Sequence, residues 1–250
     1  MVLREKILPR IWLPVSLVLL WEGLARAGWV NPIFFPPPTR LVAEGLAMIR
    51  SGELPGHLWS TLIRTFEGSA LGIVTGLACG TLMGLSRPAR RALEPLVSAL
   101  AASPKIALFP VLMLVLGIGQ APRIALIAAA AFVMAALPIL DGVRNLDVTY
   151  VELARNYGAR SWKLVSWVYL PGSLPHLLTA ARLALSRALG VCVAVEVVNA
   201  RNGLGSLIWA GWQSFRPEHV YIGVLTAAAL GATLHASMRL LEKALVPWKA

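Results

Sequence analysis

Long apolar runs separated by short polar passages set the pattern of this chain. The runs cover about residues 11–27, 58–86, 93–117, 124–140, 174–199 and 220–238. Residues 68–86 carry no charge, and nineteen residues of helix rise about 28 Å, close to the hydrocarbon thickness of a bilayer. The pattern predicts an all-α, polytopic membrane protein of about six transmembrane helices, forming one domain over residues 1–250.

The first run follows a basic N-terminus and in that respect resembles a secretory signal peptide. Pro9, Pro14 and Glu22 interrupt it, however, and no small-residue cleavage site is evident near its end. We therefore predict that it is the first transmembrane helix.

Composition supports the membrane class and argues against nucleic-acid binding. Hydrophobic residues make up 57% of the 250 residues and charged residues 14%, against about 25% charged in soluble domains. The formal charge of +11 is concentrated at the ends of the apolar runs, which is a topology signal. With the N-terminus inside, thirteen counted basic residues fall in the cytoplasm and seven outside. This bias predicts a cell-membrane protein with both termini and residues 141–173 in the cytoplasm.

Prolines predict where helices bend or stop. Pro104 and Pro110 lie inside the third run, so that helix is expected to be kinked or locally broken. Pro171 lies just before the fifth run and Pro175 at its beginning, and both are expected to end any helix before that span begins.

Glycines recur at every fourth position of the second run. They are Gly68, Gly72, Gly76, Gly80 and Gly84. Such a stripe lets a second helix approach closely, which is how spans associate where no hydrophobic effect acts between them. We predict a helix-packing face, with a glycine-lined substrate groove as the secondary alternative.

Three ionisable side chains in the predicted spans are candidates for lining a transport pathway: Lys105, Arg182 and Glu196. Ionisable residues in a span mark a water-filled path or an interior partner by default. For Lys105 the alternative is snorkelling to the membrane interface. Arg182 and Glu196 are separated by about 21 Å along a helix, too far to pair with each other.

Catalytic and metal-binding patterns are missing from the sequence. No G-x-x-x-x-G-K-[ST] motif occurs, so ATP hydrolysis would require a separate chain. The histidines are widely spaced without H-E-x-x-H, and nothing in the sequence brings His235 next to Ser206 as a protease would need. Cys79 and Cys192 lie in apolar runs, as packing residues do. We predict a protein that is not an enzyme and has no metal site.

One polar, basic segment has a specific layout. Residues 152–171 read ELARNYGARSWKLVSWVYLP and are called the EAA-like segment below. Its spacing resembles the cytoplasmic loop of ABC importer permeases, which is E-A-A, three residues, G, nine residues, I, one residue, L-P. Leu153 replaces the second motif residue and Val168 the isoleucine, while Gly158 allows a left-handed turn. The alternative is an ordinary basic juxtamembrane loop.

The resemblance covers the chain from the first span to the last and is to the nitrate, aliphatic sulfonate and taurine branch of these permeases. It implies the type I ABC importer permease fold, with two short helices, bent at the glycine, that dock on a separate ATPase. The ATPase-coupling residues it implies are Glu152, Leu153, Ala154, Gly158, Leu170 and Pro171. It also implies a homodimer in membrane lipid, two cytoplasmic ATPase subunits that hold ATP and Mg²⁺, and an extracytoplasmic solute-binding protein. No cofactor is expected on this chain.

The implied function is that of a permease subunit that forms the pathway for a small solute. Lys105, Arg182 and Arg187 would favour a sulfonate- or nitrate-like anion if they face that pathway. Permeases of this shape are also associated with cationic or neutral vitamins, which leaves the substrate open. The alternative function is a secondary transporter or channel independent of an ATPase, but the inverted repeat typical of such transporters is not visible.

Overall fold

The computed structural model describes the backbone of residues 2–160 and 162–246, and side chains within 12–160, 162–169 and 171–246. These residues form helices without any strand. The α-helices are α1 Val2–Arg26, α2 Pro38–Arg50, α3 Glu53–Leu85, α4 Arg87–Ala102, α5 Phe109–Leu116, α6 Gln120–Arg144, α7 Val148–Asn156, α8 Trp162–Leu164, α9 Leu170–Asn199, α10 Leu204–Gln213 and α11 Pro217–Leu245. A 3₁₀ turn, Lys105–Leu108, precedes α5, and a π-helical turn, Val165–Tyr169, precedes α9.

Helices α3, α6 and α9 form the centre of the fold, and the closest packing is between α3 and α6. The five stripe glycines of α3 lie directly against α6. A Cβ atom added at Gly76 would lie 2.7 Å from the Cβ of Ala135, where ordinary contact begins at 3.4 Å. Since α6 presents alanines at Ala131 and Ala135, small residues on both helices bring the two backbones together.

Three helices in the described part of the chain, α3, α6 and α11, are each long and apolar enough to cross a membrane. Two further pairs pass the same test as broken spans: α4 with Lys105–Leu116, bent by 99°, and α9 with α10, bent by 41°. The predicted all-α membrane fold is therefore confirmed, with up to five such spans. That α1 is an additional span remains a prediction.

The third predicted span, 93–117, is not one continuous helix. Helix α4 ends at Ala102, and Ser103 is extended with ψ of 142°. The cause is Pro104, whose ring disfavours helical dihedrals at the preceding residue. Pro110 lies in the first turn of α5, where its missing N–H costs little, so it does not interrupt that helix.

The expectation that Pro171 and Pro175 end a helix ahead of the fifth span was wrong. Pro171 lies in the first turn of α9 and Pro175 lies inside it, and the π-helical turn Val165–Tyr169 leads directly into α9. The chain is therefore helical without interruption from Trp162 to Asn199. Each proline removes only its own backbone hydrogen bond, and the helix through these residues is held by the packing of α9 on α6 and α3.

Candidate functional site

The EAA-like segment folds as a short helix, a tight turn and a second helical passage. The side chain of Asp147 accepts a hydrogen bond of 2.8 Å from the N–H of Thr149 and so caps α7. Hydrogen bonding from the side chain of Thr149, together with that from its backbone N–H, lowers the pKa of the Asp147 carboxyl. Gly158 has φ of +80°, and the N–H groups of Gly158 and Ala159 donate to the carbonyls of Arg155 and Ala154, both at 2.9 Å. This is a Schellman motif, which ends α7 and turns the chain.

A groove of about 780 Å³ lies between α7 and the beginning of α9. Its wall is mostly apolar and aromatic, and consists of Leu146, Tyr150, Leu153, Ala154, Tyr157, Trp167, Val168, Pro171 and Gly172. Tyr157 is 83% exposed and Trp167 is 64% exposed. The groove is therefore an open surface rather than an enclosed cavity.

The fold brings together only some of the residues predicted to couple to an ATPase. Leu153, Ala154 and Pro171 line the groove, and Gly158 makes the turn beside it. Glu152 is exposed but does not line the groove, and the side chain of Leu170 lies outside the described residues.

Three aromatic residues of the groove were missed from the sequence: Tyr150, Tyr157 and Trp167. A signal was present, because large aromatics in a polar segment outside the apolar runs have no span to pack into. Exposed basic residues border the aromatics, and the Nζ of Lys163 lies 5.5 Å from the centre of the Trp167 ring, in cation–π geometry.

Lys105 lines a second cavity, at the break between α4 and α5. The Nζ of Lys105 donates to the carbonyls of Leu100 and Ala101, at 2.9 and 3.0 Å, and its side chain is buried. The ammonium therefore compensates the negative end of the α4 dipole while it stands in the cavity wall. The prediction of an interior position for Lys105 agrees with this geometry, whereas snorkelling does not.

Glu196 is buried inside the protein and is not in the wall of any of the cavities described for residues 12–246. It is 1% exposed, and its carboxylate accepts from Arg64 Nη1 at 2.7 Å and from Thr61 Oγ1 at 2.8 Å. The backbone N–H of Gly205 donates to it at 3.1 Å. The pathway role predicted for Glu196 therefore does not match its position, which is that of a buried ion pair joining α3, α9 and α10.

The ion pair explains the glycines that follow α9. Gly203 has φ of +126° and lies against the Glu196 carboxylate, while a Cβ added at Gly205 would lie 2.7 Å from the Cβ of Glu196. The following residues form helix α10, in which Leu204 and Leu207 are buried. From the sequence, Arg64 was missed as a buried residue because the count of basic residues on the two sides of the membrane had assigned it to the outside.

Arg182 also has a partner within the protein. Its Nη1 lies 3.1 Å from Oε2 of Glu242 on α11, and both side chains are mostly buried. The pathway role predicted for Arg182 therefore does not match its geometry either. Lys105 is the one of the three pathway candidates that lines a cavity among those described in this structure.

Solved structures share this fold. The MetNI methionine ABC transporter in an inward-facing conformation contains a chain that matches with a TM-score of 0.69 at 23% identity, over 77% of this chain and 95% of that one. A structure of an amino acid ABC transporter with histidines matches with a TM-score of 0.63 over 79% of this chain and 97% of that one. The expected type I importer permease fold is therefore confirmed.

Curated relatives are similar over almost the whole chain. A Bacillus subtilis (strain 168) permease protein, whose name assigns it to aliphatic sulfonates transport, is 32% identical over 95% of this chain and 86% of its own length. The taurine transport system permease protein of Escherichia coli (strain K12) is 28% identical over 93% and 86%. The riboflavin transport system permease protein of Chloroflexus aurantiacus is 31% identical over 97% and 91%.

These names also settle the class of protein. All three relatives are transport permeases, that is, non-catalytic membrane subunits, so the prediction that this chain is not an enzyme is confirmed. Residues 70–248 match the protein family described as "Binding-protein-dependent transport system inner membrane component". These residues include α6, the EAA-like segment and α9. The chain therefore belongs to that family, the multi-pass inner-membrane permease subunits of ABC importers.

Proposed function

We propose that two copies of this chain form the translocation pathway of an ATP-driven importer, and that each EAA-like segment docks on a separate ATPase. The observation that carries this proposal is the exposed aromatic groove beside the Gly158 turn. Exposed apolar surface of this kind, outside the spans, is typical of a protein interface. The bordering Arg155, Arg160 and Lys163 would suit an acidic rim on the partner.

The continuous helix that follows the groove supports a coupling mechanism. Helical backbone runs from Trp162 to Asn199, so a displacement of the groove wall at Trp167 is transmitted directly to α9. Because α9 packs against α6, a tilt of α9 would change the wall of the pathway. ATP shifts the permease only to the extent that the groove binds the two ATPase conformations with different free energy. ATP and Mg²⁺ belong to the ATPase in this proposal.

The substrate we propose is a small sulfonate- or nitrate-like anion delivered by an extracytoplasmic solute-binding protein. Two similar permeases are named for aliphatic sulfonates and taurine, which supports this class. The orientation that fits is the one with both termini and the EAA-like segment in the cytoplasm, because the larger share of basic residues then lies inside.

Co-purification tests the coupling role. The tagged chain is purified from its host in mild detergent, and the ATPase recovered with it is quantified for the wild type and Gly158→Val. A matched control exists at Gly52, which has the same φ of +80° and, like Gly158, open space around it, but lies at the start of α3. We expect an ATPase in equal amount with the wild type and Gly52→Val, and much less with Gly158→Val.

Two results would contradict the coupling proposal. One is recovery of the intact wild-type chain without any ATPase, which would favour a transporter that needs none. The other is equal ATPase recovery with Gly158→Val and Gly52→Val, which would place the docking surface elsewhere on the chain.

A further inference from the structure

The cavity at the break between α4 and α5 is lined by two basic residues, Lys105 and Arg187. It has a volume of about 450 Å³, and its described wall consists of Ser103, Pro104, Lys105, Ile106, Ser186, Arg187, Gly190 and Val191. No carboxylate lies among these wall residues. The cavity is therefore a basic site with small, hydroxyl-bearing neighbours.

Arg187 differs from Arg64, Arg123 and Arg182, three other arginines that lie within the long helices. Arg64 is paired with Glu196, Arg182 with Glu242, and Arg123 donates to the carbonyl of Asn199. Arg187 is exposed, and no carboxylate of the described residues lies within ion-pair distance of its guanidinium. Among these four arginines, Arg187 is thus the one whose guanidinium has neither an ion pair nor a hydrogen bond within the described residues.

Arg187 lies well inside α9 rather than at either end of it. Counting along the helix, Arg187 lies about 7.5 Å beyond the Arg182–Glu242 pair and about 13.5 Å before Glu196. A charged arginine inside a span is strongly unfavourable when it faces lipid, so Arg187 is expected to face water or another protein surface. The cavity on the same face of α9 offers that water.

Lys105 adds a second positive charge to the wall without being free to bind a ligand alone. Its ammonium donates to the carbonyls of Leu100, Ala101 and Ser103, at 2.9, 3.0 and 3.4 Å, which fixes its position. The guanidinium of Arg187, by contrast, has its donors available in a planar fork. This geometry suits the oxygens of a sulfonate or a similar oxyanion.

We propose that Arg187 contacts the substrate in an anion site formed by this cavity, where the pathway passes the broken span. This proposal rests on the proposed function, since it assumes that the chain forms an import pathway. It adds the residue that would recognise the anion and places it on α9, the helix that continues from the EAA-like groove.

Cysteine labelling tests the site without any knowledge of the ATPase or the natural substrate. Ser186→Cys places a thiol in the cavity wall beside an intact Arg187, in a background where Cys79 and Cys192 are replaced by alanine. The depth-matched control is Ala236→Cys, on an exposed face of α11, whose neighbour Leu234 packs with Leu189. Membrane fragments are treated with the anionic reagent sulfonatoethyl methanethiosulfonate or the cationic trimethylammonioethyl methanethiosulfonate.

We expect Ser186→Cys to react at least about tenfold faster than Ala236→Cys. The ratio of its rate with the anionic reagent to its rate with the cationic reagent should be about tenfold higher than the same ratio for a free thiol. Adding Arg187→Gln should remove most of that preference, and Arg187→Lys should retain part of it. An unreactive Ser186→Cys, or equal rates at both positions, would overturn the water-filled cavity. A charge preference that is absent, or unchanged by Arg187→Gln, would overturn the anion site.

The outcome is separable from that of the co-purification experiment. Labelling requires only the folded chain in a membrane, so loss of the ATPase proposal would leave a positive labelling result intact. Conversely, an ATPase that co-purifies with a chain whose cavity does not label would retain the coupling role and reject the role of Arg187.

Discussion

Replacing a stripe glycine by alanine should weaken the α3–α6 interface, and Gly76→Ala is the sharpest case. The new Cβ would lie 2.7 Å from the Cβ of Ala135 and 2.8 Å from the carbonyl oxygen of Phe132. The carbonyl oxygen of Phe132 belongs to the backbone and cannot rotate away as a side chain can. The two helices must therefore separate by several tenths of an ångström. A gap of about 0.5–1 Å forfeits a quarter to a half of each dispersion contact that it opens.

The expected change in the free energy of unfolding is the balance of two effects. Overpacking of this kind costs about 1–3 kcal/mol, whereas alanine in place of glycine within a helix contributes about 0.5–1 kcal/mol in the opposite direction. Gly56→Ala in the same helix is the matched control, because no heavy atom lies within 4 Å of the Cβ position at Gly56. Gly76→Ala should therefore be destabilised and Gly56→Ala unchanged or slightly stabilised.

Thermal unfolding in detergent at a fixed scan rate measures the difference. In a chain of this size each kcal/mol corresponds to about 2–4 °C in Tm. We expect the Tm of Gly76→Ala to lie several degrees below that of Gly56→Ala. If Gly76→Ala unfolds at the same temperature as Gly56→Ala or above it, the glycine stripe of α3 is not the face that packs on α6.

Three further predictions follow from the ion pairs and the groove. Glu196→Gln should destabilise the protein by about 3–5 kcal/mol, because Arg64 is then buried without its partner; a Tm equal to that of wild type would contradict this. Arg182→Glu should reduce the yield of folded chain, and the exchange Arg182→Glu with Glu242→Arg should restore it, as measured by size-exclusion chromatography; a double variant no better than Arg182→Glu would remove the pair's importance. Tyr157→Ala should reduce ATPase co-purification at least several-fold without lowering Tm, because the side chain is 83% exposed; undiminished ATPase would exclude Tyr157 from the docking surface.

The sequence pattern was sufficient to predict those features of the fold that depend only on residues close together in the chain. The four-residue period of glycines is enough to place the closest packing face on α3, because that period is nearly the helical repeat. In the same way, a glycine six residues after Glu152 indicates the turn, and Gly158 adopts the left-handed conformation. Both inferences concern residues that are near one another in sequence.

Long-range pairing could not be predicted from such patterns. Arg64 and Glu196 meet across 132 residues, and no periodicity in either segment indicates that contact. Arg64 was counted as an exterior residue since the uncharged part of its span begins only at Gly68. The prediction that Pro175 ends a helix was wrong for a related reason. The packing of α9 against its neighbours outweighs the local conformational preference of a single proline.

The distribution of charges on α9 has a consequence for the order in which the protein is assembled during synthesis. Glu196 finds its partner on α3, which has already been made when α9 leaves the ribosome. The partner of Arg182, Glu242, lies near the end of α11 and is synthesised last. Helix α9 is therefore synthesised before the partner of Arg182 exists, and this ion pair can form only after α11 has been made. A nascent chain interrupted before Glu242 would leave Arg182 without the ion pair that it has in the complete fold.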